Sequence, residues 1–239
     1  MNFKPTFYWL FMLIVLYSCN KEDDFVIDFK YEYFPVEIGS FVVYNVDSIK
    51  FIDNEPTVSD TAQYQIKELI ESVFVDNEGR DTYRIERYKR RDSLSPWVIE
   101  DVWFSNRTQT TAERIEENLR FIKLVFPPKI GLTWDGNVFI DIHEGIEWLE
   151  DWEYEITELD VPNTVNELSF DSTLTVLQED NQADFVNVIE KIYSIEVYAK
   201  HVGLVSKELQ VLKKEPIALW TEPTSGFIVR MEIAGYGTL

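Results

Sequence analysis

Between Asp141 and Asp160 the chain carries nine carboxylates (Asp141, Glu144, Glu147, Glu150, Asp151, Glu153, Glu155, Glu158 and Asp160) and no lysine or arginine. Such a tract offers the hard oxygen donors that calcium takes roughly six to eight at a time, with Asp141, Glu144 and Asp151 as the candidate ligands. The glycine-punctuated spacing of a calcium loop is missing, and a solvated acidic face is the competing reading. Trp148 and Trp152, four apart in the same tract, are candidates for exposed rings that stack on a sugar or an apolar ligand, against the ordinary alternative of core packing. Two carboxylates could also run glycoside hydrolysis, one as proton donor and the other as base or nucleophile. With 43 acidic residues, a pair at suitable separation arises by chance.

Other chemistries are poorly served. His143 and His201 are the two histidines, neither lies near a Gly-x-Ser-x-Gly elbow, and no His-Glu-x-x-His is present. Arg80, Arg84, Arg87, Lys89, Arg90 and Arg91 make one locally basic strand. It could capture an anionic glycan, or it could pair across the sheet with acids such as Glu113, Glu116 and Glu117.

The single cysteine, Cys19, closes the sequence Leu16-Tyr17-Ser18-Cys19, which follows Lys4 and an apolar run of 11 residues, Phe7–Tyr17. That run is well short of the roughly 20 apolar residues that span a bilayer, so residues 1–18 read as a cleaved signal peptide and the last four positions as a lipobox. The Cys19 thiol would then receive a diacylglycerol, and stable anchoring follows from more than one acyl chain at about 0.8 kcal/mol per buried methylene. Behind it, Lys21, Glu22, Asp23 and Asp24 resemble the export signal of surface lipoproteins in Bacteroidota-type bacteria. The implied address is the outer membrane with the body at the cell surface, periplasm-facing attachment being the alternative. Cleavage leaves 21 basic residues against 43 acidic ones, a net charge of −22. Nucleic acid is therefore not an expected partner, and the acyl chains are the expected membrane contact. No cofactor is called for, calcium apart.

The elements that must position these residues are strands. Period-2 runs rich in β-branched and aromatic residues predict strands over Ser40–Phe51, Gln63–Val75, Thr82–Arg91, Trp97–Ser105, Thr108–Glu116, Arg120–Phe126, Trp152–Leu159, Ser172–Leu177, Ile189–Ala199, Leu204–Lys213 and Phe227–Ala234. Asp76-Asn77-Glu78-Gly79 reads as a hairpin with a left-handed glycine, and Pro127-Pro128 as a strand stop. Phe25, Ile27 and Phe29 alternate as a short edge strand would. His143–Glu150 predicts a short helix, and Glu179–Glu190 fits either a turn or a helix. The expected fold is all-β, an antiparallel meander curved into a barrel-like sheet with at most one or two short helices. Nothing marks an internal boundary, so residues 19–33 read as the acylated cysteine and tether, and 34–239 as one β-rich domain.

Tyr33-Phe34-Pro35 with Gly39 and Tyr44 opens the body; Phe126-Pro127 with Gly131-x-x-Trp134 follows; and Tyr198-Ala199-Lys200-His201-Val202-Gly203-Leu204-Val205 stands late. Together these segments resemble a Bacteroidota-type family of envelope lipoproteins whose domains begin on an aromatic-Pro-x-x-x-Gly segment and carry a Tyr-Ala-x-x-Val-Gly-Leu-Val hairpin. The shared positions shape a fold and bring no catalytic residue. His201 departs from the pattern, standing where glycine or a similar turn residue is expected. Independently of the resemblance, Gly203 inside an apolar run marks a bulge, a tight bend or a close backbone approach. The expected function is a non-catalytic, lipid-anchored envelope domain, either structural or holding an apolar or glycan ligand in a barrel mouth. A glycoside hydrolase or carbohydrate-binding protein is the alternative.

Overall fold

Side chains that alternate between apolar and polar along extended backbone bury one face of a sheet and wet the other, and this pattern dominates the chain. The computed structural model describes residues 27–52, 59–220 and 223–239. Its strands are β1 (Ser40–Phe51), β2 (Ser59–Val75), β3 (Asp81–Arg90), β4 (Val98–Arg107), β5 (Thr111–Glu116), β6 (Leu119–Val125), β7 (Thr133–Asp135), β8 (Glu153–Val165), β9 (Leu168–Asp184), β10 (Ile189–Ala199), β11 (Gly203–Lys214) and β12 (Ser225–Thr238). They form one sheet in the order β6-β5-β4-β3-β2-β1-β12-β11-β10-β9-β8-β7. Strands pair with their successors from β1 to β6 and from β7 to β12, and the first strand pairs antiparallel with the last. This is the circuit of an up-and-down barrel with one ladder missing, between β6 and β7.

The gap is narrow. The Ile122 N–H donates to the Gly136 carbonyl at 2.8 Å, and the Trp134 indole N–H donates to the Ile122 carbonyl at 2.8 Å. Glycine is required at position 136, because a Cβ there would stand 2.4 Å from the Tyr154 ring. Register shifts in β1, β2, β5, β8 and β10 bend the sheet toward closure. The all-β, nearly closed antiparallel barrel expected from the alternation is therefore what forms.

Two apolar clusters fill it. One gathers Tyr33, Phe121, Leu124, Trp152, Tyr154 and Leu174, and the other Tyr44, Ile66, Val205, Met231 and Ile233. Each such side chain contributes about 1.5–3 kcal/mol when fully withdrawn from water.

Several local expectations change. Residues 27–30 belong to no strand: Lys30 adopts φ +54 and turns the chain into a 3-10 turn, Tyr31–Tyr33. That turn carries Tyr33 into the core and stacks Phe29 on Tyr31 at 5.2 Å, so the described end of the tether is docked on the body. The helix expected over His143–Glu150 shrinks to a 3-10 turn at Glu147–Leu149. Glu179–Asp184 continues β9, because β10 offers it a ladder before a tight turn in which the Phe185 N–H donates to the Val188 carbonyl at 2.8 Å. Cys19, Lys21, Glu22, Asp23 and Asp24 lie outside the described residues.

Candidate binding site

Strand alternation sends every second residue of β2 to β6, β10 and β11 into the barrel, and a number of those residues are charged. On one side Glu68 binds two arginines: Arg87 Nε lies 3.1 Å from its Oε1, and Arg114 Nη2 is bonded to its Oε2. Arg87 also stacks on Trp103, 3.5 Å from the ring centre. On the other side Lys123 lies 3.0 Å from Glu196 and 3.2 Å from Glu116, and Lys207 lies 3.2 Å from Glu196. The Tyr198 hydroxyl donates to Glu196 at 2.5 Å.

Burial alone would raise the Glu116 and Glu196 pKa values, yet Lys123 and Lys207 hold both carboxyls below their ordinary range. Burial likewise opposes the charge on Lys207 and Arg114, and the facing carboxylates override it to raise both. The charges therefore persist inside because each has a partner of opposite sign. Burial pushes the Tyr44 and Tyr198 hydroxyls upward, so they act as neutral donors.

At the end of the barrel where β1 begins, the interior opens into a cavity of about 240 Å³. Arg114, Glu68 and Tyr198 line it on the polar side, while Phe34, Pro35, Phe41, Ile70, Ile85 and Leu204 supply apolar wall. Exposed Glu37, His201 and Tyr236 also border it. The segment preceding β1 is fixed beside the cavity by Asp160, whose carboxylate accepts from the Tyr33 hydroxyl at 2.9 Å, Ser172 at 3.1 Å, Lys30 at 2.8 Å and Lys200 at 2.9 Å. Burial would raise Asp160, and these donors lower it below the usual carboxylate range.

The turn after β10 is held in the left-handed region by His201 at φ +64 and Gly203 at φ +91. The place where sequence pattern favours glycine thus requires the backbone that glycine adopts freely, and histidine takes it here. The close backbone approach is not what Gly203 serves, since a Cβ there would make only an ordinary contact with the Pro35 ring at 3.5 Å; its positive φ marks the tight bend.

The residues first singled out lie elsewhere. Asp141, Glu144 and Asp151 are exposed and separate, and among the described residues no group of three or more Asp, Glu, His or Cys side chains could hold a metal ion. Trp152 is 4% exposed, with its indole donating to the Trp148 carbonyl at 2.6 Å, and Trp148 packs edge-on against Phe227 at 5.7 Å. The two rings pack with each other and do not form an open stacking platform. Most of the basic strand is paired: Arg80 with Asp76 and Glu113, Arg84 with Glu71 and Glu86, Arg87 with Glu68, and Lys89 with Glu100. Glu68 at the cavity is bound by two arginines, one at each carboxylate oxygen.

Sequence reasoning missed Glu68 and Arg114, whose charges read as surface positions. It had a signal nonetheless. Phe34, Pro35, Tyr44, Tyr198 and His201–Leu204, which line the cavity, belong to two of the three segments that carry the family resemblance.

No family model matches the chain, and no curated protein matches it. Among solved structures it is similar to a Bacteroides fragilis protein described as exported and as having a YmcC-like fold, with 10% identity, a TM-score of 0.43, and coverage of 89% of this chain and 100% of that one.

Proposed function

We propose that the chain is a lipid-anchored protein of the bacterial cell envelope whose barrel binds a small ligand and performs no covalent chemistry on it. The observation that carries this reading is the cavity of about 240 Å³ at the end of the barrel. It combines apolar walls with a few fixed polar groups, the usual make-up of a ligand site, at a volume below the roughly 300–1,000 Å³ of drug-sized ones. The lipobox at Cys19 and the short apolar run before it support the anchor, and Lys21–Asp24 support display at the outer-membrane surface.

Two measurements test it. Cells fed an alkyne fatty acid should label the protein, and Cys19→Ala should lose both the label and membrane retention; an unlabelled wild-type protein would overturn the anchor. Native mass spectrometry of the mature chain should show a co-purifying small molecule, or uptake of small aromatic probes at one site. Failure of every probe to bind would overturn the binding role.

A further inference from the structure

We propose that the cavity receives a small, mostly apolar carboxylate whose head group sits against Arg114. This rests on the reading of the cavity as a ligand site and adds the ligand's chemical class. Arg114 Nη2 is bonded to Glu68, whereas Nε is buried without a hydrogen bond and Nη1 has no partner among the described residues. Buried donors are nearly always paired, and an orphan costs about 1–3 kcal/mol. Glu68 is not free to serve the other nitrogens, because its second oxygen is held by Arg87 at 3.1 Å. Nε is closed off from the cavity, so Nη1 is the nitrogen through which this guanidinium, in the cavity wall, would meet an added acceptor.

Three other buried polar groups of the lining narrow the class. The Tyr44 hydroxyl donates to the Leu204 carbonyl at 3.0 Å, the Tyr198 hydroxyl to Glu196 at 2.5 Å, and the Ser105 hydroxyl to the Glu113 carbonyl at 3.1 Å. Inside the cavity an incoming molecule therefore meets Arg114 as a buried donor in need of a partner, with Glu68 beside it, apolar wall around them, and Glu37, His201 and Tyr236 at the exposed rim. A carboxylate makes the stronger, charge-assisted bond to such a group, and arginine holds its charge throughout. The net charge of −21 repels anions at a distance, but at physiological salt that field is screened beyond about 8 Å, so the local contact decides. A volume of about 240 Å³ suits a single ring or a short branched chain.

The test is titration of the mature chain in detergent with sodium benzoate, benzyl alcohol and benzylamine at 0.15 M salt, followed by NMR. Benzoate should bind at least tenfold more tightly than benzyl alcohol and benzylamine, and Arg114→Gln should erase that preference. Val42→Phe, which fills the cavity wall while leaving Arg114 in place, should abolish binding of all three probes. Equal affinity for benzoate and benzyl alcohol would overturn the carboxylate assignment and leave the ligand site standing. Absence of binding by any probe would overturn both. Should Arg114→Gln fail to fold, the probe preference of the wild-type chain and its loss in Val42→Phe decide the matter.

Discussion

Lys123 on β6 and Glu196 on β10 meet at 3.0 Å inside the barrel, although their strands are not neighbours in the sheet. The contact spans the lumen and ties one edge of the sheet to its far wall. Glu196 also accepts from Lys207 and Tyr198, so it is the shared acceptor of three groups. Removing one partner of a buried ion pair leaves the other charge uncompensated at a cost of about 3–5 kcal/mol. Glu196→Gln is expected to lose stability of that order in urea unfolding, softened by the contact Lys123 keeps with Glu116. A loss below about 1 kcal/mol, the range of exposed pairs, would mean that this part of the lumen is wet.

The same cluster sets a pH dependence. Glu116 and Glu196 bind their protons more weakly in the barrel than at the ordinary value of 4.5. The unfolded chain therefore takes up protons first as pH falls, and stability present above about pH 4.5 is lost below it. Lys207 binds its proton more tightly than at its ordinary 10.5, so its contribution is complete below that pH and lost as pH rises through the folded value. Urea midpoints measured from pH 3 to 10 should show a plateau above about pH 5 and a fall on the acid side that is shallower in Glu116→Gln. An acid limb unchanged by that substitution would assign the fall to other carboxyls.

Asp160 gathers four donors and fixes the segment before β1. Asparagine keeps the left-handed backbone at φ +57 that this position requires, but removes the charge that Lys30 and Lys200 face. The carboxylate is 40% exposed, so Asp160→Asn should cost only about 1 kcal/mol of global stability. The local effect should be larger, with faster amide exchange over residues 31–36 by hydrogen–deuterium mass spectrometry. Unchanged exchange there would place the hold on this segment in its aromatic contacts instead.

At the seam, Gly136→Ala drives a methyl group into the buried Tyr154 ring. Overpacking of this kind costs about 1–3 kcal/mol, and here it also pushes Gly136 away from Ile122. A lower urea midpoint and a Trp134 emission shifted to the red are expected, since the indole loses its carbonyl partner. A variant with wild-type emission would show that the seam tolerates the displacement.

How much could be read beforehand follows from what alternation reports. β1 forms over Ser40–Phe51 as expected, and Gly79 takes φ +77 in the expected hairpin, because apolar alternation and a glycine turn are both local signals. β9 extends well past Leu177, since its distal residues are polar and gain their ladder from β10 alone. β7 is three residues long and offers no period to detect. The charged lumen was hidden for a different reason: Glu68, Glu116, Lys123 and Glu196 occupy inward positions, where a rule that equates charge with solvent places them outside. Pairing across the basic strand was foreseen in kind, through Arg80 and Glu113, whereas Glu116 serves Lys123 and Lys207.

The ladder between β1 and β12 joins the first strand of the sheet to the twelfth, Ser40 lying opposite Thr238. Pairing strands so far apart in sequence is entropically costly, and such contacts form slowly. Until that ladder closes, the first six strands present an open flank where β12 belongs, a surface prone to mispairing.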